Sequence, residues 1–316
     1  MDKKDLKWIV FSDHHRGRRD RADDFLLCEP AYIKALNHYL KEGYNLLLLG
    51  DVEEFWENPF NKVINSYEKV LNIEKQFYDK GKFIKLWGNH DESWQFPIFV
   101  SKKLKKFFPK IKAHEGITLR LTDANKALGQ ILFVHGHQGS ITSDKFAVFS
   151  KFFVRYFWRN IQVLFNMPLS TPSNNMGLKS AHDKEMYEWA SSKEKQVIIC
   201  GHTHQPVFLS RTYLDELELK REEVLSKADV IQQTQVEEEI SNIEKKKKKI
   251  KDPTHLNATK HAISPCYFNS GCCSFSDGDI TGLELTKDSI KLVKWNKEKR
   301  VEHRTENWEN VFKDKL

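Results

Sequence analysis

Cysteine is scarce in this chain and shows no pattern. The five cysteines, Cys28, Cys200, Cys266, Cys272 and Cys273, have neither paired nor zinc-ligand spacing. Cys272 and Cys273 are adjacent and do not suit a bridge to each other. A disulfide scaffold and a thiolate metal site are both excluded, and five reduced packing cysteines in a cytosolic protein are expected. Long apolar runs are missing too. No stretch reaches the roughly 18 apolar residues that a membrane-spanning helix needs. The N-terminus leads into only four apolar residues, Trp8 to Phe11, which does not resemble a secretory leader. The expected location is cytoplasmic.

Charge is unbalanced, with 51 Lys and Arg against 44 Asp and Glu, a net of +7. Such an excess suits anionic partners such as phosphates, nucleic acid or an acidic membrane face. Five consecutive lysines at 245–249 supply most of it. The 40% hydrophobic and 12% aromatic content is ample for a packed core. A length of 316 residues allows one large domain with insertions or two modest ones.

The chain is organised around residues 45–57, Asn-Leu-Leu-Leu-Leu-Gly-Asp-Val-Glu-Glu-Phe-Trp-Glu. Leu46 to Leu49 predict a short strand buried on both faces, ending at Gly50 and Asp51. Ligands collect at the carboxyl ends of such strands, so Asp51 is either a functional carboxylate or a helix N-cap. The same arrangement recurs. Residues 8–12 form an apolar strand ending in Asp13, His14 and His15, and Phe83 to Trp87 lead into Gly88-Asn89-His90-Asp91. The segments 117–121 and 131–134 predict a hairpin around Asp123-Ala124-Asn125, its second strand ending in His135-Gly136-His137. Val197 to Cys200 end in Gly201-His202-Thr203-His204. Helical spacing appears over 30–42 and 60–80, and closing strands are expected within 262–296.

Five apolar strands that each end in Asp, Asn or His form a ligand set without thiolate. It suits Mn²⁺, Fe, Zn²⁺ or Co²⁺ better than Ca²⁺ or an iron–sulfur cluster. Seven or eight such donors are too many for one ion, so two are expected.

These blocks resemble the calcineurin-like metallophosphoesterases. The family pattern Asp-x-His, Gly-Asp, Gly-Asn-His-Asp/Glu, His, Gly-His-x-His stands here as Asp13-His14-His15, Gly50-Asp51, Gly88-Asn89-His90-Asp91, His135 and Gly201-His202-Thr203-His204, across residues 8–206. The resemblance implies an α/β (α+β) fold, a four-layer α/β/β/α sandwich with helical insertions, and a dinuclear centre at the strand ends. Carried over by position, it gives one divalent ion to Asp13, His15, Asp51 and His204. The other goes to Asp51, Asn89, His135 and His202, with Asp51 bridging. His90 is implied beside the reacting phosphate as general acid or electrostatic stabiliser, and Glu54 as the carboxylate that orients it. The implied reaction is attack of a metal-bridging hydroxide on a phosphoester or phosphoanhydride, with Mn²⁺ the expected metal. Arg16 and Arg18, in a loop that also holds Arg19 and Arg21, are candidates to clamp a second phosphate; the alternative is a solvated loop paired with Asp20, Asp23 and Asp24.

Within the family the chain is similar to the UDP-2,3-diacylglucosamine pyrophosphohydrolase group. The likeness rests on Gly50-Asp51-Val52-Glu53-Glu54-Phe55-Trp56-Glu57 and Gly201-His202-Thr203-His204-Gln205-Pro206. That group carries an acyl-binding helical cap between its fourth and fifth blocks, and a cap is expected here over 140–180. Residues 144–167 place Lys151, Arg155 and Arg159 on one helical face and Phe149, Phe152, Phe153, Tyr156 and Phe157 on the other, the pattern of an interfacial helix or of an ordinary core helix. A peripheral contact at the inner face of a membrane is a further expectation. Two departures are His137, where the group has Asp, and Arg16, where it has Leu. An extra insert at 211–260 reads as a charged helix or helical hairpin. The competing functions are a nuclease or nucleotide phosphodiesterase of the same fold, and a scaffold without activity.

Overall fold

Strict alternation along short apolar strands decides how the layers stack. The computed structural model describes residues 1–137, 176–210, 266–313 and the isolated positions 234, 237, 238 and 241. The described residues form two sheets. One has the order β11-β10-β9-β1-β2-β3-β4 and the other β5-β6-β7-β8. In the first, β1 (Lys7–Phe11), β2 (Asn45–Leu49), β3 (Phe83–Leu86) and the short β4 (Ala113–His114) run parallel. On the other side of β1, β9 (Ile280–Thr286), β10 (Ser289–Trp295) and β11 (Arg300–Asn307) continue antiparallel. In the second sheet, β5 (Gly116–Asp123) and β6 (Lys126–Val134) form a hairpin. Its turn residues Ala124 and Asn125 both have positive φ, as a two-residue hairpin turn requires. Next to β6, β7 (Gln196–Cys200) and β8 (Tyr267–Asn269) run parallel to it.

Successive strand residues face opposite ways. Trp8, Val10, Leu47 and Leu49 meet Ile131, Phe133, Val197 and Ile199 of the second sheet in one core. Ile9, Phe11, Leu46 and Leu48 face outward instead, against α1 (Glu29–Glu42) and α3 (Glu68–Asp79). Those helices present Tyr32, Leu36 and Tyr39, and Val70 and Phe77, at helical spacing. On the far side, Leu132, Val134, Ile198 and Cys200 pack against Met186, Trp189 and Ala190 of α5 (Met176–Ser191). The layers are helix, sheet, sheet, helix, as expected from the sequence.

The predicted helix over 60–80 is two helices, α2 (Phe60–Ser66) and α3, broken at Tyr67. The Tyr67 ring is buried against Phe25 and its hydroxyl donates to Asp23 at 2.7 Å, which holds its backbone out of helical geometry. Among the described residues, β4, α4 (Pro97–Lys103), most of α5, β11 and α6 (Trp308–Lys313) carried no anticipated signal. The aromatic stretch 144–167, most of the expected 140–180 cap, and the 211–260 insert apart from four positions lie outside the described residues.

Candidate metal centre

The parallel strands β1, β2 and β3 end on the same edge of the sandwich as β6 and β7, and the loops that follow interlock. The Asp13 amide donates to the Gly50 carbonyl at 3.1 Å and the His15 amide to that of Asp51 at 3.0 Å, extending the β1–β2 pairing beyond the strands. Two contacts tie the sheets together: the His202 amide donates to Asp13 Oδ2 at 2.9 Å, and His135 Nδ1 lies 3.1 Å from the Leu49 carbonyl. Backbone approaches side chain so closely that only glycine fits at two points. A Cβ at Gly88 would strike the Asp51 carboxylate, and one at Gly201 the Asp13 carboxylate.

Within this edge, potential donor atoms of Asp13, His15 and His204 lie within 4.8 Å of one another, as do those of Asp51, His135 and His202, and those of His15, Asp51 and His90. Asp51 Oδ2 stands between the first two groups, 3.0 Å from His135 Nε2 and 3.9 Å from His15 Nε2. His204 Nε2 is 3.2 Å from Asp13 Oδ1 and 3.1 Å from His15 Nε2. Asn89 follows β3, and its Oδ1 is buried without a hydrogen-bond partner. A buried orphan acceptor is costly, and a cation is one of the few species that suits an amide oxygen there.

Five of these eight residues, Asp13, His15, Asp51, His202 and His204, adopt left-handed backbone with φ between 49° and 71°. A non-glycine residue there costs on the order of 1–3 kcal/mol, and such strain gathers at functional sites. Burial pushes the carboxyls of Asp13 and Asp51 up, but neighbouring imidazoles outweigh it, His204 and His135 for Asp13 and His135 and His90 for Asp51. Both carboxyls are held below the usual range, Asp51 well below. For His135, burial is outweighed by Asp51 and Asp13, which raise it to about 9. Burial, then the charge on His135, keeps His202 neutral, a lone-pair donor. Ionised carboxylates, an amide oxygen and imidazoles are a donor set that fits two divalent cations, which would take the place of the proton that Asp51 and Asp13 hold on His135.

Glu54 touches two imidazoles. Its Oε2 lies 2.9 Å from His15 Nδ1 and 2.6 Å from His90 Nδ1, and the pair of contacts outweighs burial to bring its carboxyl down to about 2. The other side of His90 is covered by Trp56, stacked at 4.0 Å and itself 48% exposed. His90 Nε2 has no hydrogen-bond partner.

Arg16 turns into the interior, and Arg18 pairs within its own loop. The Arg16 guanidinium is 1% exposed, ion-paired to Glu74, 3.7 Å from Glu53 and packed over the rings of Phe25 and Tyr32. Two buried carboxylates and two aromatic faces attract it more strongly than a solvated loop could. Arg18 is exposed and pairs with Asp20 at 2.5 Å, the alternative that the loop's own acids offered.

One histidine escaped a reading confined to strand ends, and another stood at a strand end without a role. His182 comes from α5, its ring 5.2 Å from that of His202 and its buried Nε2 without a partner. His137 lies 5.4 Å from His135, ring to ring. Burial, then the His135 charge, pushes His182 down to about 4 and His137 down to about 3. No strand precedes His182, so nothing in the sequence singled it out; His137 stood out as a departure from a motif.

A family profile described as calcineurin-like phosphoesterase matches residues 6–206. Among solved structures, a dimetal phosphatase from Danio rerio is 10% identical over 96% of this chain and 99% of its own, with a TM-score of 0.41. GAP50, the anchor in the inner membrane complex of Plasmodium, is 12% identical over 96% of this chain and 88% of its own, with a TM-score of 0.44. No curated protein matches the chain. The profile takes in every strand end described above, from Asp13 to His204, and on that ground the chain belongs to the calcineurin-like phosphoesterases, hydrolases of phosphoester bonds.

Proposed function

We propose that the chain hydrolyses a phosphoester or phosphoanhydride at a dinuclear centre. Asp13, His15, Asp51 and His204 hold one divalent ion and Asp51, Asn89, His135 and His202 the other. The observation that carries this reading is that the Asp13/His15/His204 and Asp51/His135/His202 clusters adjoin, with Asp51 Oδ2 3.9 Å from His15 Nε2, beside the orphaned Asn89 oxygen. Two bound ions, Mn²⁺ in the first instance and Fe, Zn²⁺ or Co²⁺ as alternatives, would offset phosphoryl charge and lower the pKa of a water. His90, oriented through Nδ1 by Glu54, stands by the reacting phosphate to give a proton or balance charge.

The substrate in this proposal is a nucleotide-linked lipid such as UDP-2,3-diacylglucosamine. Support comes from the Gly50–Glu57 and Gly201–Pro206 motifs and from the aromatic, basic sequence at 144–167. Free cysteines suit a reducing, cytoplasmic location. The lysine run at 245–249 favours a second reading, a nuclease or nucleotide phosphodiesterase. Turnover of purified protein with Mn²⁺ on monoesters, diesters, nucleoside diphosphate sugars with and without acyl chains, and single-stranded DNA separates the two. Preference for DNA, with activity falling steeply as salt rises, would reject the lipid reading. Elemental analysis tests the centre itself. Asp51→Asn should lose metal and most turnover, whereas His90→Ala should lose turnover and keep both ions; loss of both ions from His90→Ala would refute its assigned role.

A further inference from the structure

Phe96, Pro97, Ile98 and Phe99 are consecutive and all exposed, at the start of α4. Ile98 is the most exposed large apolar side chain among the described residues, at 77%, with Phe96 at 41% and Phe99 at 38%. An isolated exposed leucine or isoleucine needs no explanation, but a contiguous cluster marks a contact surface. The chain that follows is basic. Residues 96–112 contain six lysines, Lys102, Lys103, Lys105, Lys106, Lys110 and Lys112, and no acid. All but Lys103 are exposed. Beside them an open groove of about 350 Å³ between α2 and α4 is lined by Phe60, Ile64, Phe107, Lys102 and Lys103 and by Glu68, which pairs with Lys106 at 2.6 Å.

This patch is joined to the candidate centre through aromatic rings. Phe99 packs edge-on to Phe60 at 5.5 Å, Phe60 stacks on Phe55 at 4.4 Å, and the Phe55 amide donates to the His90 carbonyl at 3.2 Å.

From this geometry we propose that the 96–112 segment docks the protein on an anionic lipid surface, with Phe96, Ile98 and Phe99 entering the acyl boundary and the lysines facing headgroup phosphates. Apolar prongs with lysines behind them are what such a surface recognises. A nucleic acid would match the lysines and could stack on the phenylalanines, but it offers no partner for Ile98, the most exposed prong. The docking is independent of which phosphoester is cleaved and uses a segment distinct from 144–167.

The test is co-sedimentation of the full chain with vesicles of phosphatidylcholine alone and of phosphatidylcholine mixed with phosphatidylglycerol. Binding is expected to the mixed vesicles and to weaken as salt rises. Ile98→Ser with Phe99→Ser should weaken it at least about tenfold, and Lys102→Gln or Lys105→Gln roughly fivefold each. Turnover of a soluble phosphodiester should stay unchanged in all of these variants, and the melting temperature in the lysine variants and in Ile98→Ser alone, whereas Phe99→Ser also gives up the edge contact with Phe60. Equal binding to both vesicle types, or binding insensitive to the substitutions, would overturn the proposal. So would displacement from the vesicles by a single-stranded oligonucleotide, or concentration-dependent self-association that Ile98→Ser abolishes.

Discussion

Arg16, Glu74, Glu53 and Tyr32 form a buried chain of partners beneath the candidate centre, continued by Lys85, whose ammonium is 2.8 Å from Glu53. Removing one member of such a chain leaves the others charged and unpaired. Arg16→Met is therefore expected to destabilise the fold by about 3–5 kcal/mol, read as a lowered urea midpoint, while Arg18→Ala on the surface should change stability by less than about 0.5 kcal/mol. A wild-type midpoint in Arg16→Met with only KM raised would restore the phosphate clamp. Glu54 makes a different prediction, because one carboxylate serves both His15 and His90. Glu54→Gln should cost roughly 10–100-fold in activity and weaken metal binding as well, measured by turnover and metal titration. His90→Ala should affect turnover alone. Sequence showed which residue types gather at strand ends, since that follows from local order. It could not show that Arg16 turns inward, which depends on Glu74 arriving from a helix 58 residues further on.

At the scale of elements, legibility followed burial. β2 is buried on its Leu46–Leu49 run, and its apolar sequence marked it plainly. β11 is an edge strand with the sequence Arg-Val-Glu-His-Arg-Thr-Glu-Asn, intermediate or exposed throughout, so no alternation betrayed it. Its backbone pairing with β10 holds it there instead. The chain then turns into α6, where Trp308 is fully buried in the core between the sheets and its indole donates to the Thr286 carbonyl at 2.7 Å. A short terminal helix thus closes one end of the sandwich. Trp308→Ala should cost about 3–5 kcal/mol, measurable by urea unfolding, and leave the metal content of the folded fraction unchanged. A loss under about 1 kcal/mol would mean that α6 is peripheral to the core.

Across the whole molecule the five cysteines report on packing, because all are buried and they sit in different layers. Cys28 precedes α1, Cys200 ends β7, and the other three flank β8. Burial raises the thiols of Cys28 and Cys272 to about 12 and those of Cys200 and Cys273 well above their ordinary range. A thiol with a raised folded pKa binds its proton more tightly in the native state than in the unfolded chain. The stability it contributes is complete below the ordinary thiol pKa, roughly 8.5, and is lost as pH rises from there toward about 12. Urea unfolding across alkaline pH should therefore show stability falling in that window, and Cys28→Ser with Cys272→Ser should flatten the fall. Thiol labelling offers an independent reading. At mildly alkaline pH the folded chain should resist modification, and all five cysteines should react once urea is added. Fast labelling of the folded chain would show that the layers open readily at equilibrium. Slow labelling with an unchanged alkaline profile would place the pH sensitivity in groups other than the thiols.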